Sequence, residues 1–191
     1  MARARVALLV LVACAVWGAP AAAASFILTA REQAEAIRTG ERSVTSETFA
    51  GEWWSSNETG DLTVMTPFLR LALAARQAAF KQKPITRGDV DKVLREDRDR
   101  LVFWVSLRGS RGDFARFYTS GLIAGSGGEL RPTFVQNERS ARRQEEGRYL
   151  AHCVYGFATA ALNPKGRVVL VVRDQDGREV TRFSVDLAAI R

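Results

Sequence analysis

The chain has 191 residues, 47% of them hydrophobic and 26% charged, with a formal net charge of +7. That length fits one domain, and the mix of apolar and charged residues excludes a disordered, collagen-like or multi-span membrane chain. Two cysteines and one histidine exclude a disulfide scaffold and a histidine-based metal cage.

Residues 1–24 have the three-part layout of a secretory signal peptide. Arg3 and Arg5 form a basic start and Val6 to Trp17 an uncharged apolar run. Gly18 and Pro20 then break any helix before the small residues Ala21 to Ala24. The run of about 12 apolar residues is shorter than the roughly 20 that a membrane-spanning helix needs. Cleavage after Ala24 places alanine at the first and third positions before the cut. Leu11-Val12-Ala13-Cys14 resembles a bacterial lipobox, and that resemblance implies a second route, lipidation of Cys14 and a lipid anchor. The short apolar stretch before Cys14 and the apolar residues after it favour free export. Either route places the folded part, residues 25–191, in the bacterial periplasm or cell envelope.

Removing Arg3 and Arg5 takes two from the 28 basic residues and leaves 26 against 21 acidic, a charge of +5. Only Lys81, Lys83, Lys92 and Lys165 are lysines. The basic character is therefore an arginine bias of the kind a GC-rich coding sequence produces. On an exported chain it points away from nucleic acid and towards another envelope protein or a cell-envelope component as partner. Cys153 is then the one mature cysteine, and its apolar strand context predicts a buried thiol.

Thr29-Ala30-Arg31-Glu32 has the form of a capping box and predicts a short helix that ends at Gly40. Residues 41–62 mix polar and turn residues around Phe49, Trp53 and Trp54, and predict an irregular or partly extended segment. Thr66-Pro67 is a sharper helix start. From Phe68 to Phe80 only Arg70, Arg76 and Gln77 form a wet stripe, so the helix over 67–81 should be mostly buried. Thr86-Arg87-Gly88-Asp89 opens a further short helix to about Asp97.

From Leu101 the period changes to two. Leu101, Phe103, Val105 and Leu107 share one face, Val102 and Trp104 the other, and both faces should be covered. Phe114–Leu122, Leu130–Gln136, Arg148–Thr159, Arg167–Arg173 and Arg178–Leu187 are further strand candidates, the last two joined by an Asp176-Gly177 hairpin turn. About six strands without helical crossovers predict an antiparallel sheet or a small β-sandwich, packed with two to three N-terminal helices, an α+β fold. The closing hairpin resembles those of exported immunoglobulin-like sandwiches. Residues 25–100 should be mainly helical and 101–191 mainly β.

No catalytic constellation stands out. His152 and Cys153 are adjacent in a strand candidate, so they point to opposite faces and cannot share the hydrogen bond of a nucleophilic pair. No residues show metal-ligand spacing or a cofactor motif. Trp53 and Trp54 are the surface lead, because aromatic side chains on a loop stack on sugars or anchor a partner. The expected function is a non-enzymatic binding or interaction module of the envelope. The alternatives are a periplasmic hydrolase whose carboxylates meet on folding, and a carrier of a small apolar ligand between helix 67–81 and the sheet.

Overall fold

The computed structural model describes residues 24–125 and 128–191. Residues 1–23, with Cys14 and most of the stretch read as a signal peptide, lie outside the described residues, as does Gly127. The fold is α+β, with helices in the N-terminal part and two antiparallel sheets built mainly from the C-terminal part. The helices are α1 (Ala30–Arg42), α2 (Pro67–Phe80) and α3 (Arg87–Glu96). The hairpin β1 (Trp54–Asn57) and β2 (Gly60–Met65) separates α1 from α2.

Each helix starts where its cap predicts. Glu32 donates its backbone N–H to the Thr29 hydroxyl at 3.3 Å, and the Glu32 carboxylate accepts the Thr29 N–H at 2.6 Å. Thr86 and Asp89 repeat that exchange on α3. Thr66 accepts from the Leu69 N–H at 3.2 Å, with Pro67 in the first helical position. The end of α1 departs from expectation, since the helix continues through Gly40 to Arg42. Gly40 marks a close approach and not a stop: a Cβ there would lie 2.1 Å from the Ala72 carbonyl oxygen on α2.

The segment read as irregular contains the β1–β2 hairpin. The Asn57 side-chain oxygen accepts the N–H groups of Thr59 and Gly60, at 2.9 and 3.1 Å, which closes the turn. The strands that follow α3 are β3 (Arg100–Gly109), β4 (Thr119–Ala124), β5 (Gly128–Leu130), β6 (Phe134–Asn137), β7 (Arg142–Arg143), β8 (Tyr149–Ala158), β9 (Arg167–Arg173) and β10 (Glu179–Asp186). Two expected strands are redrawn. Residues 114–117 form a turn, with Phe114 edge-on to Tyr118 at 5.7 Å, so β4 starts only at Thr119. The stretch 130–136 breaks around Pro132, which has no N–H to give a ladder. The chain changes sheet there, β5 pairing with β4 and β6 with β8.

The larger sheet runs β1-β2-β3-β8-β6, with β7 also on β8; the smaller runs β10-β9-β4-β5. Leu62, Val64, Phe103, Val105, Tyr155 and Phe157 of the first join Leu122, Leu170, Val172 and Phe183 of the second in one buried cluster. This is the sandwich core. Phe103 meets Phe157 edge-on at 5.7 Å, an arrangement the ring quadrupoles favour.

Cys153 is 1% exposed and free in that core, beside the buried Tyr155. Burial pushes the thiol above its ordinary 9.0 and the phenol above its ordinary 10.0. The folded chain holds both protons to higher pH than the unfolded chain, which ionises the two groups near those ordinary values. The stability they contribute is complete below about pH 8 and drains as pH rises, by up to about 1.4 kcal/mol per pH unit for each group. A thermal midpoint that holds between pH 6 and 8 and falls steadily from pH 9 to 11 is expected. Cys153→Ala should delay the onset by about one pH unit, because the phenol titrates later. Maleimide labelling of Cys153 should be slow in buffer and complete in denaturant.

Candidate functional site

The outer face of the larger sheet is where exposed aromatic and polar side chains converge. Antiparallel register places Trp54 opposite Thr63, Thr63 opposite Trp104, and Trp104 opposite Val154. Cross-strand partners share a face, so these four side chains form one row over β1, β2, β3 and β8. The next row on the same face is Ser56, Asp61, Ser106 and His152. A shallow cleft of about 650 Å³ is lined by members of both rows.

The two tryptophans of the row are unusually open, Trp54 at 54% and Trp104 at 52%. Met65 and Val102 continue the same face and are buried. Beside them α2 and α3 leave a second cleft of about 780 Å³, lined by Met65, Leu73, Phe80, Val93 and Trp104. The outer face of β3 is therefore covered at one end only. Reading it as covered throughout was incorrect: Met65 and Val102 are buried, while Trp104 borders the cleft beside the helices and stays half-exposed. The second cleft lies at the place where an apolar carrier would need one, between helix 67–81 and the sheet, and it is open to solvent on one side.

The polar row is hydrogen-bonded in two pairs, Ser56 with Asp61 and Ser106 with His152. Ser106 Oγ lies 3.0 Å from His152 Nδ1. Asp61 accepts from Ser56 Oγ at 2.7 Å and from Arg108 Nη2 at 2.8 Å. The His152 backbone N–H donates to Glu138 Oε2 at 2.8 Å. The Ser106–His152 contact has one element of a nucleophilic site. The rest is missing: Ser106 sits mid-strand, so its backbone N–H belongs to the ladder and offers no oxyanion hole. Asp61 flanks the serine on β2 while His152 flanks it on β8, so the acid does not orient the imidazole as a triad requires. Cys153 points into the core, opposite His152.

The expected tryptophan pair is split by the strand that begins between them. Trp53 is 3% exposed and closes a short 3-10 turn. Its Nε1 donates to the Arg191 main-chain oxygen at 2.7 Å, and its ring stacks on Phe68 at 6.0 Å. The Arg191 guanidinium covers both rings, at 5.9 and 4.9 Å from their centroids. Trp53 is a core anchor and only Trp54 reaches the surface. Asp61 and Ser106 escaped the sequence reading, which placed Trp104 on a covered strand face and weighed His152 only as a partner of Cys153. The signal that would have found them is register, which needs the β1–β2 turn at Asn57 to be recognised first.

Carboxylates do meet in one concave place. A cleft of about 420 Å³ is lined by Asp113 with Asp174 and Asp176 from the β9–β10 turn. Asp174 Oδ1 accepts the N–H groups of Asp176 and Arg178, each at 2.9 Å, which ties that carboxylate to its own turn. Across the smaller sheet the outer side chains pair with one another. Glu129 bridges to Arg173, Glu179 to Arg182 and Asp186 to Arg167. Such a face is a solvated ionic surface, unlike the aromatic face of the larger sheet.

The chain is similar to a crystal structure from Burkholderia pseudomallei K96243, described as a novel protein of unknown function. Identity is 11% and the TM-score 0.43, over 85% of this chain and 92% of that chain. No protein-family model matches the chain, and no curated protein matches it.

Proposed function

We propose that the chain is an exported, non-enzymatic binding module of the cell envelope that holds its ligand on the open face of the larger sheet. The observation that carries the reading is the pairing of two half-exposed indoles, Trp54 and Trp104, in one cross-strand row. A single exposed aromatic side chain is ordinary, but two in one contiguous row form the kind of patch that marks a contact surface. Trp104 stands on the central strand β3, paired on both sides, and Trp54 on the edge strand β1, paired to β2, so both indoles rest on hydrogen-bonded strand backbone.

Export rests on the leader layout of the N-terminus. Ala24 is buried and donates its N–H to the Leu187 oxygen at 2.8 Å. A cut after Ala23, with Ala21 as the third residue before it, would keep that contact, whereas a cut after Ala24 would remove it. Processing between Ala23 and Ala24 suits the fold better.

Protein recovered from the envelope fraction of its source should bind that fraction again after purification. Trp54→Ser with Trp104→Ser should weaken the binding at least tenfold without shifting the thermal midpoint. Retention of full binding by the double variant would overturn the reading. The three carboxylates of the Asp113 cleft favour a hydrolase instead. Turnover that survives the double variant and is lost in Asp113→Asn would assign the chain to that class.

A further inference from the structure

Resting on the binding reading above, we infer that the ligand of the open face is a neutral, extended oligosaccharide, stacked on Trp54 and Trp104 and hydrogen-bonded by the polar row beside them. Trp54 and Trp104 are two strands apart, with Thr63 between them. Strand spacing sets the indoles about 10 Å apart. A single sugar ring cannot cover both. An extended chain can lay two of its rings on the two indoles and pass a third over the small Thr63 side chain. The C–H face of a pyranose is apolar and matches the electron-rich face of an indole.

The ring edges of a sugar carry hydroxyl groups that need donors and acceptors. The Asp61, Ser106 and His152 row runs parallel to the indole row, about 7 Å further along the strands. His152 Nδ1 is engaged by Ser106, which leaves Nε2 for a ligand. Asp61 supplies a carboxylate acceptor whose charge is balanced by Arg108 at 2.8 Å. This combination of flat apolar platforms and mixed donors and acceptors is what a polyhydroxylated ligand requires.

The lining of the cleft selects against other classes. No lysine or arginine lines the cleft itself, and Arg108 at its border is already paired with Asp61, so a polyphosphate, a nucleic acid or an anionic headgroup would find no unpaired cation in the cleft. A purely apolar ligand would leave Asp61, Ser106 and His152 desolvated without partners. A protein partner wants a contiguous apolar centre, and here Thr63 separates the indoles while the polar row borders them.

The test is calorimetric titration of the leaderless protein with neutral oligosaccharides of two, four and six rings. Three series serve as probes: β-1,4-linked N-acetylglucosamine, β-1,4-linked glucose and α-1,4-linked glucose. At least one series should bind, with the hexamer at least tenfold tighter than the dimer, because only the longer chain spans both indoles. Trp104→Ala should cost at least tenfold. Trp54→Ala should flatten the dependence on length, and Phe117→Ala, in an exposed turn away from the face, should change nothing. Trp54 and Trp104 are half-exposed, so both variants should fold, and circular dichroism checks this.

No binding in any series overturns the inference. If the protein still binds the envelope fraction, the ligand class alone is wrong; if that binding also fails, the module reading falls too. Salt-sensitive binding of polyphosphate in place of sugars overturns it, as does a solution dimer that Trp104→Ala dissociates.

Discussion

Trp53→Ala should destabilise the protein by about 3–5 kcal/mol, the usual cost of deleting a large buried aromatic side chain. Trp54→Ala should change stability by no more than about 0.5 kcal/mol, as surface substitutions do. The two residues are neighbours of the same type, so composition cannot explain the difference. Trp53 packs on Phe68, lies under the Arg191 guanidinium and donates to the Arg191 main-chain oxygen. Its loss empties the junction between the start of α2 and Arg191. Trp53→Phe separates the contributions: the ring stays, the Nε1 donor goes, and a loss of about 1 kcal/mol is expected. Urea unfolding of the three variants, compared at equal slope, measures each cost. Equal costs at Trp53 and Trp54 would contradict the split between core and surface on which the candidate site rests.

Gly40→Ala should destabilise although it replaces glycine inside a helix. Such a change ordinarily gains about 0.5–1 kcal/mol by restricting the unfolded chain. At Gly40 the added Cβ would lie 2.1 Å from the Ala72 oxygen and 2.9 Å from the Ala75 Cβ. The nearest of these is backbone, which cannot rotate away, so α1 must lift from α2. Overpacking of this kind costs about 1–3 kcal/mol or more, which exceeds the entropic gain, and a net loss of about 2 kcal/mol is expected. Gly88 on α3 is the control. A Cβ there has its nearest neighbour at 3.8 Å, the Thr86 hydroxyl oxygen. Gly88→Ala should therefore stabilise by about 0.5–1 kcal/mol. Opposite signs at two helical glycines, read from thermal or urea midpoints, test the α1–α2 packing directly. A stabilising Gly40→Ala would show that the helices are further apart than described.

The candidate site was only partly legible in the sequence. Trp54 was visible as an aromatic residue in a polar segment, but it was indistinguishable from Trp53. Trp104 was visible as a residue on the second apolar face of a strand, a face expected to be covered, and nothing in the sequence said that it would stay half-exposed. Asp61, Ser106 and His152 lie far apart in the chain and carry no motif. They become a row only through the pairing of β2 with β3 and of β3 with β8.

What the chain decides locally is legible residue by residue. Thr29, Thr66 and Thr86 cap helices because a threonine oxygen placed before the first turn accepts an otherwise unpaired N–H. Asp174 to Gly177 turns β9 into β10 because Gly177, at φ +80°, adopts the left-handed conformation without strain. Alternation of two marks β3 and β10, because successive strand side chains face opposite sides. Tertiary structure alone decided which face met solvent, which tryptophan was buried, why Gly40 is glycine and where the chain changed sheet after β5. Each of those depends on a partner brought close by folding, and neither identity nor spacing along the chain encodes that distance.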